Sequence, residues 1–181
     1  PHMVVINPCD YNQTKAATIA AAAHDGPVYL RFGRPKWPVF TPENQEFTIG
    51  KAWHIQSGTD VSIFATGHMV LKAIEAAAQL QDKGVSAEVI NIHTIKPLDI
   101  QAVIESVQKT RCAVIAEEHQ RLGGLGSAIA QVTAEGCPVP LEFVAVQDSF
   151  GESGTSDALL EKYGLGASHV TAAALKVLSR K

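Results

Sequence analysis

The residues best suited to bind an anion lie in the turn Arg31-Phe32-Gly33-Arg34. Both arginines follow an apolar run that predicts a buried strand, and ligands of α/β proteins collect at the carboxyl ends of strands. A guanidinium group presents a planar fork of donors that matches phosphate or carboxylate. Arg31 and Arg34 are therefore candidate anion ligands, and the alternative is a solvated pair of surface arginines.

A second candidate is the glycine-rich segment 117–127, which lies between a predicted strand and a predicted helix. Its glycines permit tight turning, and amides at a helix N-terminus favour an anion. The spacing is neither that of a Walker loop nor that of a Rossmann fingerprint. A proton-transfer site, an anion site, a subunit contact and close packing of the helix on its sheet all remain open. The candidate residues are Glu118, His119, Gly123, Gly124 and Gly126.

The histidines and cysteines show no metal-binding pattern. Zinc ligands usually recur at short, regular intervals, whereas four of the histidines stand isolated from one another in sequence: His54, His68, His93 and His119. We interpret them as residues that make local hydrogen bonds, although His68 and His93 follow predicted strands on the side where ligands bind. The cysteines are far apart in apolar or turn contexts and are interpreted as reduced packing residues: Cys9, Cys112 and Cys137.

The segment 148–154 reads Asp-Ser-Phe-Gly-Glu-Ser-Gly and follows another predicted strand. Its small residues favour turns. No histidine is placed to activate Ser149 or Ser153 as a nucleophile. We predict a loop that faces a partner.

Composition narrows the class of protein. The 181 residues are 46% hydrophobic and 18% charged, with a net charge of −3, which suits one substantial soluble core. Charges of both signs are mixed along the chain, so no basic face for nucleic acid is expected. No apolar run approaches the roughly 20 residues that cross a bilayer, and no signal peptide is evident. We expect a cytoplasmic protein that binds neither nucleic acid nor membrane.

The start of the chain is abrupt. Pro1-His2-Met3 leads directly into an apolar run with no start signal, cap or linker before it. We expect a chain cut from a longer protein, in which Pro-His-Met is either a cloning remnant or native sequence.

Strand and helix patterns alternate along the chain. Predicted strands at 4–6 and 28–32 flank a helix over 15–23 with Asp10 at its N-cap, which makes one βαβ unit. Pro35, Pro38 and Pro42 predict an extended linker, and we place a domain boundary near residue 42. The predicted domains are residues 1–42 and 43–181.

Beyond that boundary, alternation predicts a doubly wound α/β domain of about five mostly parallel strands. An entry strand or hairpin is expected within 47–55. The predicted strands are 61–65, 87–92, 112–116 and 141–146, and the predicted helices lie near 68–84, 97–107, 127–135, 157–163 and 168–178.

Taken in order, these segments resemble the transketolase family. The strand and arginine turn 28–34 resemble the end of the family's pyrimidine-binding domain. The family's third domain is matched by Gly50-Lys51-Ala52, by the strand from Asp60 to Thr66, and by Ala87 to Asn91 with Thr94 to Asp99. It is also matched by Glu117 to His119 with Gly123 to Gly126, and by Phe150 to Gly154 with Leu159 to Leu165. The resemblance covers essentially the whole chain, and it is strongest to short, separately encoded carboxy-terminal subunits.

The resemblance implies a function for the complete enzyme. Transketolases use thiamine diphosphate and a divalent metal such as magnesium to transfer a two-carbon ketol unit between sugar phosphates in the pentose phosphate pathway. It implies that Arg34, and with less support Arg31, contacts the acceptor's phosphate. It also implies an N-terminal cofactor-binding subunit or domain as partner, and a homodimer or heterotetramer.

The same resemblance implies that this chain is catalytically incomplete. The family holds the diphosphate and metal in an amino-terminal domain, and its activating glutamate lies at the front of the pyrimidine-binding domain; neither part is in this sequence. No catalytic or metal-binding residue is therefore expected here, nor tight cofactor binding. The alternatives are the corresponding part of a deoxyxylulose-phosphate synthase or of a 2-oxo-acid dehydrogenase beta subunit, or a stand-alone anion-binding or interaction module.

Overall fold

The computed structural model describes residues 1–181, in which strands and helices alternate along most of the chain. The strands are β1 (Val4–Ile6), β2 (Val28–Leu30), β3 (Trp53–Gln56), β4 (Val61–Ala65), β5 (Ala87–Asn91), β6 (Thr94–Lys96), β7 (Ala113–Gln120) and β8 (Leu141–Val146). The helices are α1 (Tyr11–Ala23), α2 (Met69–Gln81), α3 (Ile100–Thr110), α4 (Leu125–Gly136), α5 (Ser156–Lys162) and α6 (Ala167–Leu178).

The larger sheet has five strands in the order β3-β5-β4-β7-β8. β4, β5, β7 and β8 are parallel, and β3 pairs antiparallel with β5 at the edge. The predicted mostly parallel, five-stranded sheet is confirmed.

Helices cover both faces of this sheet. Side chains of successive strand residues point to opposite faces, so Ile63 joins one buried cluster with α2 and α6. Its neighbour Phe64 joins a second cluster with α3 and α4. The doubly wound α/β prediction is therefore confirmed.

A second, three-stranded sheet has the order β2-β1-β6. β1 and β2 are parallel and flank α1, as predicted for the βαβ unit, and β6 pairs antiparallel with β1. β6 was not predicted, because three residues ahead of a proline carry no strand pattern of their own and its partner lies far away in sequence.

The residues on either side of position 42 are in direct contact. β6 extends the sheet of β1, and the buried Cys9 belongs to the main core cluster with α2 and α6. No helix or strand lies between Leu30 and Trp53. The domain boundary near residue 42 stays a prediction.

Several element bounds differ from those predicted. β2 ends at Leu30 rather than at residue 32, because β1, its partner, ends at Ile6. α3 begins at Ile100 rather than at residue 97, because the carboxylate of Asp99 caps it by accepting from the Ala102 amide at 3.2 Å. The segment 117–120 was predicted as loop but belongs to β7, which stays paired with β8 as far as Gln120.

The cysteines are buried free thiols, all three of them, as predicted. No helix combines the length and apolar character that a membrane span requires.

Candidate functional site

The two arginines of the predicted anion turn face different cavities. Arg31 lines a cavity of about 180 Å³, and its Nη2 donates to the carbonyl oxygen of Glu118 at 2.7 Å. Arg34 is exposed and lines a larger cavity of about 530 Å³. The structure therefore does not bring Arg31 and Arg34 together as one bidentate pair.

The larger cavity is lined by two cationic side chains and one carboxylate. Arg34 and Lys36 line it, and neither is paired with a carboxylate. Asp10 also lines the cavity, but its carboxylate is buried and occupied by hydrogen bonds from Gln13, Phe40 and Thr41. The free cations leave this cavity suited to an anionic ligand.

His68 forms one wall of the larger cavity. Its buried ring stacks on the indole of Trp37, with centroids 4.3 Å apart and planes inclined by 15°. Its Nδ1 lies 3.2 Å from Oε2 of Glu118. The hydrogen bond with His68 lowers the pKa of the Glu118 carboxyl, and it outweighs the opposing effect of burial, while the charges of His68 and Arg31 lower that pKa further.

The smaller cavity brings Arg31 together with part of the glycine-rich segment. Arg31, His119, Gly123 and Gly124 line it together with Glu117. His119 is exposed, and its Nδ1 lies 2.7 Å from the carbonyl oxygen of Gln120. The cavity thus lies between the N-terminal βαβ unit and the start of α4.

Glu117 lines this cavity but was not among the candidate residues. Its buried carboxylate accepts from the amide of Leu125 at 2.7 Å and from the amide of Gly126 at 2.8 Å. A Cβ at Gly124 would overlap this carboxylate. The Glu117 carboxylate therefore occupies the helix N-terminus at which an external anion was predicted to bind. Its place at the start of the glycine-rich segment was visible in sequence, but its inward direction was not.

The other candidate residues are dispersed. His54 is exposed on β3, and Nδ1 of its ring lies 3.6 Å from Oε1 of Glu88. His93 is buried and contacts Phe47, with ring centroids 4.2 Å apart. No group of three or more His, Cys, Asp or Glu side chains is placed to hold a metal ion.

The loop 148–154 is exposed throughout. Phe150 has 99% of its surface accessible, and its carbonyl oxygen accepts from the Tyr163 hydroxyl at 2.9 Å. An exposed aromatic ring of this kind is suited to a contact with another protein. That the loop faces a partner stays a prediction.

Comparison with known proteins gives the chain its family. Residues 50–170 match the family described as "Transketolase, C-terminal domain". The chain is 49% identical over 181 residues to the 6-deoxy-6-sulfo-D-fructose transketolase subunit SqwH of Clostridium sp. (strain MSTE9), covering 100% of this chain and 56% of that protein. It is 33% identical over 181 residues to an apulose-4-phosphate transketolase subunit of Phocaeicola vulgatus, covering 99% of this chain and 58% of that protein.

A solved structure is similar as well. A protein described as "Split gene transketolase, inactive beta4 tetramer" matches with a TM-score of 0.94 and 44% identity, covering 99% of this chain and 58% of that one. The chain thus spans a little more than half the length of these relatives. By the match over residues 50–170, the chain belongs to the transketolase C-terminal domain family.

Proposed function

We propose that this chain supplies the carboxy-terminal part of a transketolase, and that Arg34 binds the terminal anionic group of a sugar substrate. The observation that carries the proposal is the unpaired guanidinium of Arg34 beside Lys36 in the cavity of about 530 Å³. A planar guanidinium orients a tetrahedral anion through paired hydrogen bonds, and fixing a substrate's orientation lowers the barrier to reaction.

Either a phosphate or a sulfonate suits this pair of cations. The relatives' names refer to a sulfonated sugar in one case and to a phosphorylated sugar in the other. Both groups present several oxygens to a guanidinium fork. We therefore propose a sugar with a terminal phosphate or sulfonate as substrate, a class that includes the sugars of the pentose phosphate pathway and sulfonated sugars outside it.

Arg31 has a different role in this proposal. Its guanidinium is committed to the Glu118 carbonyl oxygen at 2.7 Å, and it lines the smaller cavity rather than the one that contains Arg34. We assign the substrate anion to Arg34, with Arg31 holding the turn against β7.

The complete enzyme is proposed to use thiamine diphosphate with a divalent metal, since the family's chemistry depends on that cofactor. The relatives are named as transketolase subunits, and one similar solved structure is that of a split-gene transketolase. An N-terminal cofactor-binding subunit or domain, which would hold the cofactor and its metal, is therefore the proposed partner. Within the complete enzyme, this chain would orient the substrate anion and form part of the subunit contact.

The glycine-rich segment is proposed as a subunit contact, within a homodimer or heterotetramer. Its amides at Leu125 and Gly126 already bind the Glu117 carboxylate, which favours the contact over the anion site. His119 and Leu122 are exposed nearby, and Leu122 has 69% of its surface accessible. Alanine at His119 would weaken assembly with the partner in size-exclusion measurements.

Ketol transfer by the reconstituted enzyme tests the proposed function. The chain mixed with its N-terminal part should transfer a two-carbon unit, and the chain alone should not. Arg34→Ala should raise KM for an acceptor with a terminal phosphate by about a hundredfold, because the anion then loses its oriented partner. The same change should leave kcat/KM for the unphosphorylated sugar unchanged.

Lys15→Ala is the matched control, because Lys15 is an exposed cation on α1 that does not line the cavity. Turnover by the chain alone would contradict the proposed incompleteness. Equal losses for both acceptors in Arg34→Ala would contradict the role of Arg34.

A further inference from the structure

The imidazole of His68 is enclosed by residues from both sides of the Arg34 turn. A Cβ at Gly33 would overlap the ring, so the backbone of Gly33 lies directly against it. Trp37 stacks on the ring at a centroid distance of 4.3 Å. The two residues that contact His68 thus flank Arg34 in sequence: Gly33 directly precedes it, and Trp37 follows it by three residues.

The backbone of residues 33–39 makes no regular hydrogen-bonded structure. No backbone amide of residues 33–39 donates a hydrogen bond to another backbone group, and Pro35 has no N–H to donate. The next anchored residue is Phe40, whose amide donates to Asp10 Oδ2 at 2.8 Å. Between Arg31, which is bound to β1 and β7, and Phe40, the restraints on the Arg34 turn are therefore the contacts of Gly33 and Trp37 with His68 and the packing of Trp37 on the main core cluster.

His68 is itself held from the opposite side. Its Nδ1 lies 3.2 Å from Glu118 Oε2 on β7. In the chain, His68 lies between β4 and α2, at the N-cap position of that helix. The ammonium of Lys72 on α2 lies 5.8 Å from the Trp37 ring centroid. The ring thus links the Arg34 turn to the central strands β4 and β7.

We propose that His68 is a positioning residue for substrate binding. Its imidazole contacts Glu118 on one side and Gly33 and Trp37 on the other, and it thereby fixes the direction in which Arg34 presents its guanidinium. The inference rests on the proposed function, because it assumes that Arg34 binds the substrate's anion. It predicts that the flat ring, more than the contact of Nδ1 with Glu118, determines anion affinity.

Trp37 supplies a direct test on the chain itself. The protein contains two tryptophans, so the Trp53→Phe variant leaves Trp37 as the only indole. Inorganic phosphate is titrated at constant ionic strength with chloride as the balancing salt, and the midpoint of the Trp37 emission change gives the affinity. The Trp53→Phe chain should respond saturably, and Arg34→Ala in the same background should not.

Two substitutions separate the ring from the contact with Glu118. His68→Gln keeps a donor for Glu118 but loses the stacking surface, and should weaken phosphate binding about tenfold. His68→Phe keeps the flat ring but loses the contact with Glu118, and should stay within about threefold of the parent. His54→Gln is the matched control, since His54 also lies beside a carboxylate but far from this cavity.

The two proposals fail in different ways. If the Trp53→Phe chain does not respond to phosphate, or responds without Arg34, the anion site and the inference built on it are both wrong. If Arg34 is required but His68→Gln binds phosphate as tightly as the parent, only the positioning role is wrong.

Kinetics of the reconstituted enzyme distinguish positioning from general support of the fold. A positioning residue predicts that His68→Gln raises KM for the phosphorylated acceptor about tenfold, with kcat at saturation and kcat/KM for the unphosphorylated acceptor unchanged. Equal loss of kcat for both acceptors, with KM unchanged, would overturn the proposal.

Discussion

Among single residues, Asp10 connects segments that are far apart in sequence. Its Oδ1 accepts from the Gln13 amide at 3.0 Å and from the Thr41 hydroxyl at 2.6 Å. Its Oδ2 accepts from the amides of Phe40 and Thr41 at 2.8 and 2.7 Å. Burial acts to raise the pKa of this carboxyl, but these hydrogen bonds outweigh it and the pKa is lowered overall. Asp10 therefore caps α1 and also anchors the end of the linker.

Asp10→Ala is expected to lower the free energy of unfolding by about 2–4 kcal/mol, because a helix cap and buried charge-assisted hydrogen bonds are lost together. Urea unfolding followed by circular dichroism measures the change. Because the folded pKa is depressed, the contribution of Asp10 is present above its unfolded pKa and disappears as the pH falls through the folded one. Asp25→Ala, at an exposed carboxylate, is the control, and an equally small loss in both variants would contradict the anchoring role.

His93 is the buried residue with the clearest link between pH and stability. Burial lowers the pKa of His93 to about 4 from 6.5, and the nearby charge of Asp99 only partly opposes this. Between these two values the unfolded chain binds a proton that the folded chain does not. The folded state therefore loses stability as the pH falls through this window.

The expected loss from His93 is roughly 3 kcal/mol between pH 6.5 and pH 4. Unfolding free energies measured across that range should fall less steeply in His93→Gln, which cannot titrate. His24→Gln, at an exposed histidine, is the control and should keep the parent's slope. Identical slopes for His93→Gln and the parent would show that His93 does not carry the effect.

Between elements, Glu117 joins the end of β7 to the start of α4. Its carboxylate binds two amides of the first helical turn, where a negative charge also complements the helix dipole. α4 has no side-chain cap of its own, since Gly124 occupies the N-cap position. The helix therefore depends on a residue of the neighbouring strand for its N-terminal hydrogen bonds.

Glu117→Gln should lower the free energy of unfolding by about 1–3 kcal/mol, because the amide removes the charge and leaves one of the two buried N–H groups facing another donor. Thermal unfolding measures the loss. Glu135→Gln, at an exposed residue in the last turn of α4, is the control and should change little. A loss no greater than that of Glu135→Gln would mean that water replaces the carboxylate without cost.

At the scale of the whole molecule, the N-terminal βαβ unit and the rest of the chain are joined by strand pairing, core packing and side-chain hydrogen bonds. β6 pairs with β1, Cys9 packs into the main core, and the side chains of Asn91 and Gln13 hydrogen-bond at 3.0 Å. These contacts cross the predicted boundary near residue 42. A chain held together in this way should unfold as one unit.

Two single-tryptophan variants test this expectation. Trp37 reports on the linker in Trp53→Phe, and Trp53 reports on β3 in Trp37→Phe. Both emission changes should coincide with loss of helical circular dichroism in urea, because neither part can lose its shared sheet and core alone. Separate midpoints in the two variants would show that residues 1–42 unfold independently.

The predictable part of the fold was the part whose signal is local. β4 and β5 are runs of five mostly apolar residues bounded by turns, and α2 carries a helical period, so their positions followed from the residues themselves. β6 and the last residues of β7 were missed because their strand conformation comes from pairing with β1 and β8. Pairing partners distant in sequence leave no local pattern.

The candidate site likewise has one part that could be predicted from local sequence and one part that could not. The arginine turn and the glycine-rich segment could be located from residue types, strand ends and family resemblance. The sequence by itself thus determined the α/β class, the order of most elements and the location of the cationic turn. Only the tertiary structure decided that Arg31 and Arg34 face different cavities, that Glu117 fills the N-terminus of α4, and that His68 lies against the Arg34 turn. Directions of side chains depend on which surfaces pack together, and that is settled by contacts between residues remote in sequence.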